Sequence, residues 1–325
     1  MAVKRTGQLS LVEAFLGDRL ASGSSPLDRL SGLVKWYRFE KLVSHLRDGA
    51  GPGRPGYPAL VLVKALLLQA MYGLSDRELE EALADRLSFR RFVGLSLADA
   101  VPDHTVLNRF RGRLVAEGLE TKLFAELDRQ LDKAGVMLKR GTMLDATLIP
   151  TVTAPPRDRG GHQRATLDPD AAFARREGRG GSVFGYKAHV GVDQGSGLIR
   201  TVLTTPANVN DTTPADALVR GDEGAVHADR AYAKRARSVA LKAPGIKPRI
   251  MHKSWGGGPA LTRWQMRHNK LIAPVRAGVE TTFATLKQRM GLQRIRYRGL
   301  AKASAQIVLA AIAFNLRRWA RLSPA

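Results

Sequence analysis

The apolar pattern of this chain changes near residue 136, and the change limits the folds available to it. Before this point apolar residues recur at helical spacing, and after it they form short runs. Thr142–Ile149 is a nearly continuous apolar run closed by Pro150, which predicts a buried strand. Phe184–Val192 and Leu198–Thr204 flank a turn sequence, which predicts a β-hairpin. A further short strand is predicted over Gly224–Ala228.

Helices are predicted again in the last quarter of the chain, around Pro274–Met290 and from Ala301 to Leu322. Strands followed by helices imply a sheet covered by helices, a fold of the α+β or α/β class. Thr151–Gly181, rich in Gly, Arg and Pro, is predicted to be a long polar loop within the strand region.

The first part of the chain is predicted to be helical. Apolar residues between Pro26 and Leu46 lie close to one helical face, and Gly49–Pro58 is predicted to be a linker. A buried helix is expected over Ala59–Tyr72. Ser75 and Glu78 have the spacing of a capping box, which predicts that another helix starts there.

Asp103 is the expected N-cap of a third helix, which carries Arg109, Arg111 and Arg113. Short helices ending in a basic helix resemble a helix-turn-helix DNA reader, and a plain helical bundle with solvated arginines explains the pattern equally well. The predicted organisation is a helical segment over 1–50, a DNA-binding helical region over 51–135 and a catalytic domain over 136–325.

The charge of the chain predicts a nucleic-acid partner. Its 52 Lys and Arg against 29 Asp and Glu give a formal net charge of +23. The longest apolar runs are shorter than the ~20 residues of a membrane span, and no secretory signal leads the chain. With no cysteine there is no disulfide or thiolate zinc site. We therefore expect a cytoplasmic, nucleoid-associated protein with no membrane partner.

Three acidic residues are candidates for chemistry. Asp145 is the one charge within an apolar strand, where an unpaired carboxylate costs several kcal/mol. Asp229 follows another short strand, although a helix N-cap explains it almost as well. The 96 residues after Asp229 contain 21 Lys and Arg but one acid, Glu280, where the chain average predicts about nine.

Glu280 is predicted to lie on one helix face with Arg276 and Lys287, opposite the apolar side of the same helix. Three carboxylates that converge from distant parts of a chain can hold two Mg²⁺ ions, with Mn²⁺ as a substitute, for in-line attack on phosphorus. A surface Arg–Glu pair would look the same locally. Arg276 and Lys287 are expected to bind DNA, and so is a general phosphate surface that includes Arg294, Arg296 and Arg298.

Several other polar and aromatic residues are weaker candidates, because structural roles explain them. Asp193 in the hairpin turn and Asp211 before Thr212 are expected to be structural, and His189 to be a half-buried strand residue. Three tryptophans could stack on unpaired bases, although packing is the more common use of such residues. They are Trp36, Trp255 and Trp264.

The chain resembles the DDE transposases of bacterial insertion sequences, most of all the insertion-sequence-five group. The resemblance lies in the spacing of Arg276, Glu280 and Lys287, with Asp145 in a strand and Asp229 in an Ala-Asp-Arg-x-Tyr context. Further motifs follow in the same order: GRPGYP, YGLSDRE, PDHTVLNRFR, LDATLI, GYKAHVGV and TPANVND. The chain departs from the family pattern at Ala273, where a Tyr is usual.

The resemblance implies an RNase H-like catalytic domain with Asp145, Asp229 and Glu280 as metal ligands. It implies a transposase that cleaves the 3′ ends of an element at terminal inverted repeats and joins them to target DNA, as a homodimer or larger assembly. Two alternatives remain: a nuclease of this fold that does not join strands, and an inert DNA-binding derivative.

Overall fold

The structure, a computed structural model, describes residues 6–8, 25–46, 56–156, 166–175, 181–254 and 259–323. The chain divides into two compact units. The helical unit comprises Met1–Lys133 and Val308–Ala325, and the sheet unit comprises Ala134–Ile307. The first helices are α1 Pro26–Leu33, α2 Trp36–Val43, α3 Ala59–Tyr72, α4 Asp76–Asp85, α5 Leu87–Val93, α6 His104–Ala116 and α7 Leu119–Lys133.

Local capping sets the starts of two helices where the sequence predicted them. The Ser75 side chain accepts a hydrogen bond from the Glu78 N–H, and the Glu78 carboxylate accepts one from the Ser75 N–H. The Asp103 carboxylate accepts the Val106 N–H at 2.8 Å at the start of α6. These bonds satisfy amides that have no partner within the helix, and the predicted starts of α4 and α6 are confirmed.

The apolar stretch from Pro26 to Leu46 forms two helices rather than one face of a single helix. The backbone of Lys35, between them, is bound from another element: its N–H donates to Oε1 of Gln130 in α7 at 2.9 Å. A residue 95 positions away therefore binds the backbone where the helix is interrupted. Most of the predicted linker Gly49–Pro58 lies outside the described residues.

The sheet unit contains one mixed sheet. Its strands are β1 Thr142–Pro150, β2 Ala172–Arg175, β3 Ser182–Asp193, β4 Ile199–Pro206, β5 Ala225–Ala228 and β6 Lys247–Ile250. The order is β2-β3-β1-β5-β6, with β4 also paired to β3. β1, β2 and β4 are antiparallel to β3, whereas β5 and β6 run parallel to β1. The predicted hairpin of β3 and β4 is confirmed.

The expectation of one long loop over Thr151–Gly181 was wrong, because β2 lies within it. Phe173 is opposite Phe184 of β3, and their ring centroids are 5.1 Å apart. Just before β2, the buried Asp168 accepts a hydrogen bond from the Tyr186 hydroxyl at 2.6 Å. Alternation over four residues is too short a pattern to predict a strand, and the pairing partner supplies the missing information.

Four further helices follow in the described part of the sheet unit and the C-terminal segment. They are α8 Arg235–Lys242, α9 Arg263–Arg276, α10 Gly278–Arg289 and α11 Leu300–Leu322. α8 packs on β6, whereas α9 and α10 pack on β1. α11 is long and apolar enough to span a membrane, but 61% of its most apolar window is buried inside the protein, as in a core helix.

Candidate active site

Asp145 lies in the middle of β1, between β3 and β5. Its Oδ1 accepts a hydrogen bond from the adjacent Ala146 N–H at 2.8 Å, and 19% of its side chain is exposed. Burial raises the pKa of the Asp145 carboxyl to about 6, and the charges of Asp229 and Asp211 add to this rise, whereas the Ala146 hydrogen bond and Arg276 oppose it. A carboxyl in such surroundings gains from a nearby cation.

Asp229 follows β5, the parallel neighbour of β1. Met143 is paired with His227, so Asp145 and Asp229 each lie two residues beyond a paired position of adjacent parallel strands, and the charge of Asp229 contributes to the raised pKa of Asp145. Oδ1 of Asp229 also accepts the Ala231 N–H at 2.8 Å, so the predicted N-cap is present, on a short 3-10 turn over Arg230–Tyr232. The N-cap uses one carboxylate oxygen of Asp229, Oδ1.

The packing of α10 against β1 positions Glu280. Val279, Phe283 and Leu286 are buried, as the apolar side of the predicted helix requires. A Cβ added to Gly278 would lie 3.2 Å from the sulfur of Met143, so the start of α10 approaches β1 closely because this residue is glycine. The side chain of Glu280, two residues further on, remains 61% exposed.

Arg276 joins two of the three candidate carboxylates. Its Nη1 is 3.1 Å from Oδ2 of Asp145, and its Nη2 is 3.0 Å from Oε1 of Glu280. The prediction of one helix over Pro274–Met290 was wrong, because the helix is interrupted at Ala277, so Arg276 ends α9 and Glu280 belongs to α10. The sequence separation of four still brings Arg276 and Glu280 together across this break.

Lys287, on the same face of α10 as Glu280, points to the central strand. Its Nζ donates to the carbonyl oxygen of Leu148 at 3.0 Å. Arg276 and Lys287 therefore both contact β1, at Asp145 and Leu148, and Glu280 is connected to the strand through Arg276.

Two family models match this chain. A model described as Transposase DDE domain matches residues 137–316, and one described as Transposase domain (DUF772) matches residues 15–113. The first covers more than half of the chain and includes Asp145, Asp229 and Glu280. The chain belongs to the DDE transposase family. Its mixed sheet with flanking helices agrees with the RNase H-like fold that was expected, and its activity is that of a DNA transposase.

The transposase also matches a cryo-EM structure of a piggyBac transposase synaptic complex with hairpin DNA. The TM-score is 0.47 and the sequence identity 10%, with 92% of this chain and 75% of that chain covered.

DDE transposases generally use divalent metal ions. Within the ranges that the structure describes, no three His, Asp or Glu side chains are grouped so as to hold an ion as they stand. The guanidinium of Arg276 is the cation that Asp145 and Glu280 share instead. The donor set nevertheless fits a hard ion such as Mg²⁺, because it consists of carboxylate oxygens, one of them on a buried group with a raised pKa.

The other polar candidates of the transposase have structural partners. Asp193 is fully buried and accepts hydrogen bonds from the N–H groups of Leu138 and Lys139 and from the Ser196 hydroxyl. Asp211 does not cap a helix at Thr212; it forms an ion pair of 2.8 Å with Lys187. Asn210 accepts the Thr212 N–H in its place.

His189 is fully rather than half buried, since its side chain is on a central strand. Its Nε2 is 2.9 Å from the Thr205 hydroxyl, and burial lowers its pKa to about 4. A neutral, enclosed imidazole of this kind matches the structural interpretation.

The three arginines of α6 differ in their surroundings. Arg109 is exposed and Arg113 half-buried. The prediction that Arg111 binds DNA was wrong, because its guanidinium is buried and forms a 2.5 Å ion pair with Asp76 and a hydrogen bond with Gln69. In the sheet unit Arg294 and Arg298 are exposed, and Arg296 is half-buried.

Tyr232 is the residue near the carboxylates that the sequence reasoning missed. It is buried, its hydroxyl has no hydrogen-bond partner among the described residues, and its pKa is raised first by burial and then by the charges of Asp145, Asp211 and Asp229. Its place in the Ala-Asp-Arg-x-Tyr motif was the available signal. Of the tryptophans, Trp36 packs in the core, Trp264 is exposed, and Trp255 lies outside the described residues.

Proposed function

We propose that Asp145, Asp229 and Glu280 are the metal ligands of this transposase and hold two Mg²⁺ ions, for which Mn²⁺ substitutes. The observation that supports this most is the guanidinium of Arg276, which Asp145 and Glu280 share at 3.1 and 3.0 Å, together with the charge of Asp229, which adds to the raised pKa of Asp145. A position where carboxylates from separate elements share one cation suits a metal ion of higher charge.

The bound ions supply activation of the attacking oxygen and neutralisation of charge at the phosphate. The chain's own residues orient the DNA. Arg276 carries a planar guanidinium that can bind phosphate oxygens in bidentate fashion once it leaves Asp145. Lys287 holds the same region of α10 against β1 through the Leu148 carbonyl and provides a second positive charge there.

The proposed reaction is hydrolysis at each 3′ end of the element, followed by attack of the freed 3′ hydroxyl on target DNA, without a covalent protein–DNA intermediate. Because two ends have to be joined to one target, the active form is a homodimer or larger assembly. We assign the chain to the insertion-sequence-five group of bacterial elements, on the motifs given above.

Recognition of the terminal inverted repeats is assigned to the helical region over 51–135. Arg109 and Arg113 of α6 are the proposed DNA contacts there, and Arg111 supports the helix from inside. Arg294, Arg296 and Arg298 add a phosphate-binding surface in the catalytic domain, 136–325.

Glu280→Gln tests the metal assignment. The variant should lose strand cleavage in Mg²⁺ while its affinity for end DNA stays within about twofold, because the side chain is 61% exposed and keeps its shape. Glu81→Gln, an exposed helical glutamate of the helical unit, is the matched control and should cleave normally. Cleavage at the wild-type rate by Glu280→Gln would contradict the assignment.

A pre-cleaved end, supplied with target DNA and Mg²⁺, separates the transposase from a nuclease. The wild-type protein should form the joined product. Hydrolysis without joining under the same conditions would instead identify a nuclease of this fold.

A further inference from the structure

A basic groove of about 770 Å³ lies on the sheet unit, lined by residues of α8, β6 and the first half of α9. None of the three candidate metal ligands lines it. Of the described residues that do, none is acidic, and six are exposed Lys or Arg: Lys234, Arg235, Lys242, Lys247, Arg249 and Lys253. Such a surface attracts a polyanion.

An exposed tryptophan stands at this groove. Trp264 is 65% exposed, which is unusual for a side chain of this size and hydrophobicity. Its ring stacks on His268 with centroids 5.3 Å apart and an interplanar angle of 20°, and His252 lies against both rings. The two imidazoles support the indole from the protein side and leave much of its surface open to solvent.

A flat aromatic surface among cations suits one form of nucleic acid. Unpaired bases stack on aromatic rings regardless of sequence while Lys and Arg bind the phosphates. In a duplex the faces of the bases are already stacked on each other, so Trp264 would have no equivalent partner. The combination in this groove therefore favours single-stranded over double-stranded DNA.

We infer that this groove binds unpaired nucleotides of the DNA substrate, with a base stacked on Trp264 and the phosphates on the surrounding Lys and Arg. The inference rests on the proposed function for the position of the reacting phosphate. Trp264 and Arg276 are 12 residues apart in α9, or about 18 Å along the helix.

The test is the affinity of the full-length protein for an oligothymidylate of about 12 nucleotides, measured by fluorescence anisotropy in EDTA. Trp264→Ala should weaken single-strand binding by roughly 5- to 150-fold, the range for loss of one stacked base. Trp264→Phe should restore most of it, because an aromatic face is retained. Binding of a duplex of the same length should change by less than twofold in both variants.

Leu271→Ala is the matched control, since Leu271 is 68% exposed on the same helix and does not line the groove. It should bind the single strand as the wild type does. Equal loss in Trp264→Ala and Leu271→Ala, or equal loss for duplex and single strand in Trp264→Ala, would overturn the inference.

Arg249→Ala tests the phosphate contacts. Removing one contact should reduce the slope of log affinity against log salt by about 0.7 for the single strand. An unchanged slope would count against the groove as the path of the backbone. Because these measurements use EDTA, failure of the metal assignment would appear only as retained cleavage by Glu280→Gln and would leave the single-strand result unaffected.

Discussion

Asp193 and Asp145 lie on neighbouring strands of one sheet, and both are enclosed by protein, but their surroundings differ. Asp193, at the end of β3, accepts three hydrogen bonds from Leu138, Lys139 and Ser196. Asp145 accepts one from its own neighbour Ala146 and shares Arg276 with Glu280. The number of fixed donors, rather than burial, therefore separates the proposed metal ligand from the structural aspartate.

The largest difference between the two aspartates should appear in catalysis. Asp145→Asn should reduce the rate of strand cleavage about 10³-fold, because loss of a metal ligand removes several kcal/mol of charge stabilisation. Asp193→Asn should stay within a few-fold of the wild type at a temperature where it is folded. Single-turnover cleavage of a labelled end in Mg²⁺ measures both. Similar losses of cleavage rate in Asp145→Asn and Asp193→Asn would contradict the distinction between a metal ligand and a structural aspartate.

The second difference should appear in stability, where Asp193→Asn should lose more than Asp145→Asn. Asp193→Asn should lower the free energy of unfolding by about 2–3 kcal/mol, since two backbone N–H groups lose a charged acceptor. Asp145→Asn should not destabilise the protein. Urea unfolding followed by circular dichroism, without metal, compares them. A greater loss in Asp145→Asn would show that Asp145 is the structural one.

The smallest effect concerns pH. The pKa of Asp145 is raised from 3.8 to about 6, mainly by burial. The protonated carboxyl therefore contributes to the free energy of unfolding below pH 3.8, and this contribution is lost as pH rises through 6. In EDTA, Asp145→Asn should therefore gain stability over the wild type between pH 4.5 and 7, on the order of 2 kcal/mol. A difference that does not change with pH would mean that Arg276 fully compensates the charge.

Much of the local structure could be predicted because its causes are local. The Ser75–Glu78 capping box and the Asp103 cap join residues three positions apart, so their pattern is visible in the sequence. The hairpin of β3 and β4 was predictable for the same reason. In contrast, the break between α1 and α2 is bound by Gln130, 95 residues from Lys35, and no local pattern indicates this contact.

The sequence indicated which residues are candidates for the site, but not which partners their side chains contact. Two sequence features single out candidate ligands: Glu280 is the single acid after Asp229, and Asp145 is the lone charge of an apolar strand. The arginines were harder to assign, because Arg109 and Arg111 are alike in sequence, yet only Arg111 meets Asp76, 35 residues away.

By itself, the sequence determined the strong positive charge, the helix starts, the hairpin and the three carboxylates that were proposed as ligands. Only the tertiary structure decided that β2 and β6 pair into the sheet, that Arg111 is buried, that Asp193 is fully bonded and that Trp264 is exposed in a basic groove. The physical reason is distance along the chain: hydrogen bonds and caps between near neighbours leave a readable pattern, whereas the partners that satisfy or expose a side chain come from segments brought together by folding.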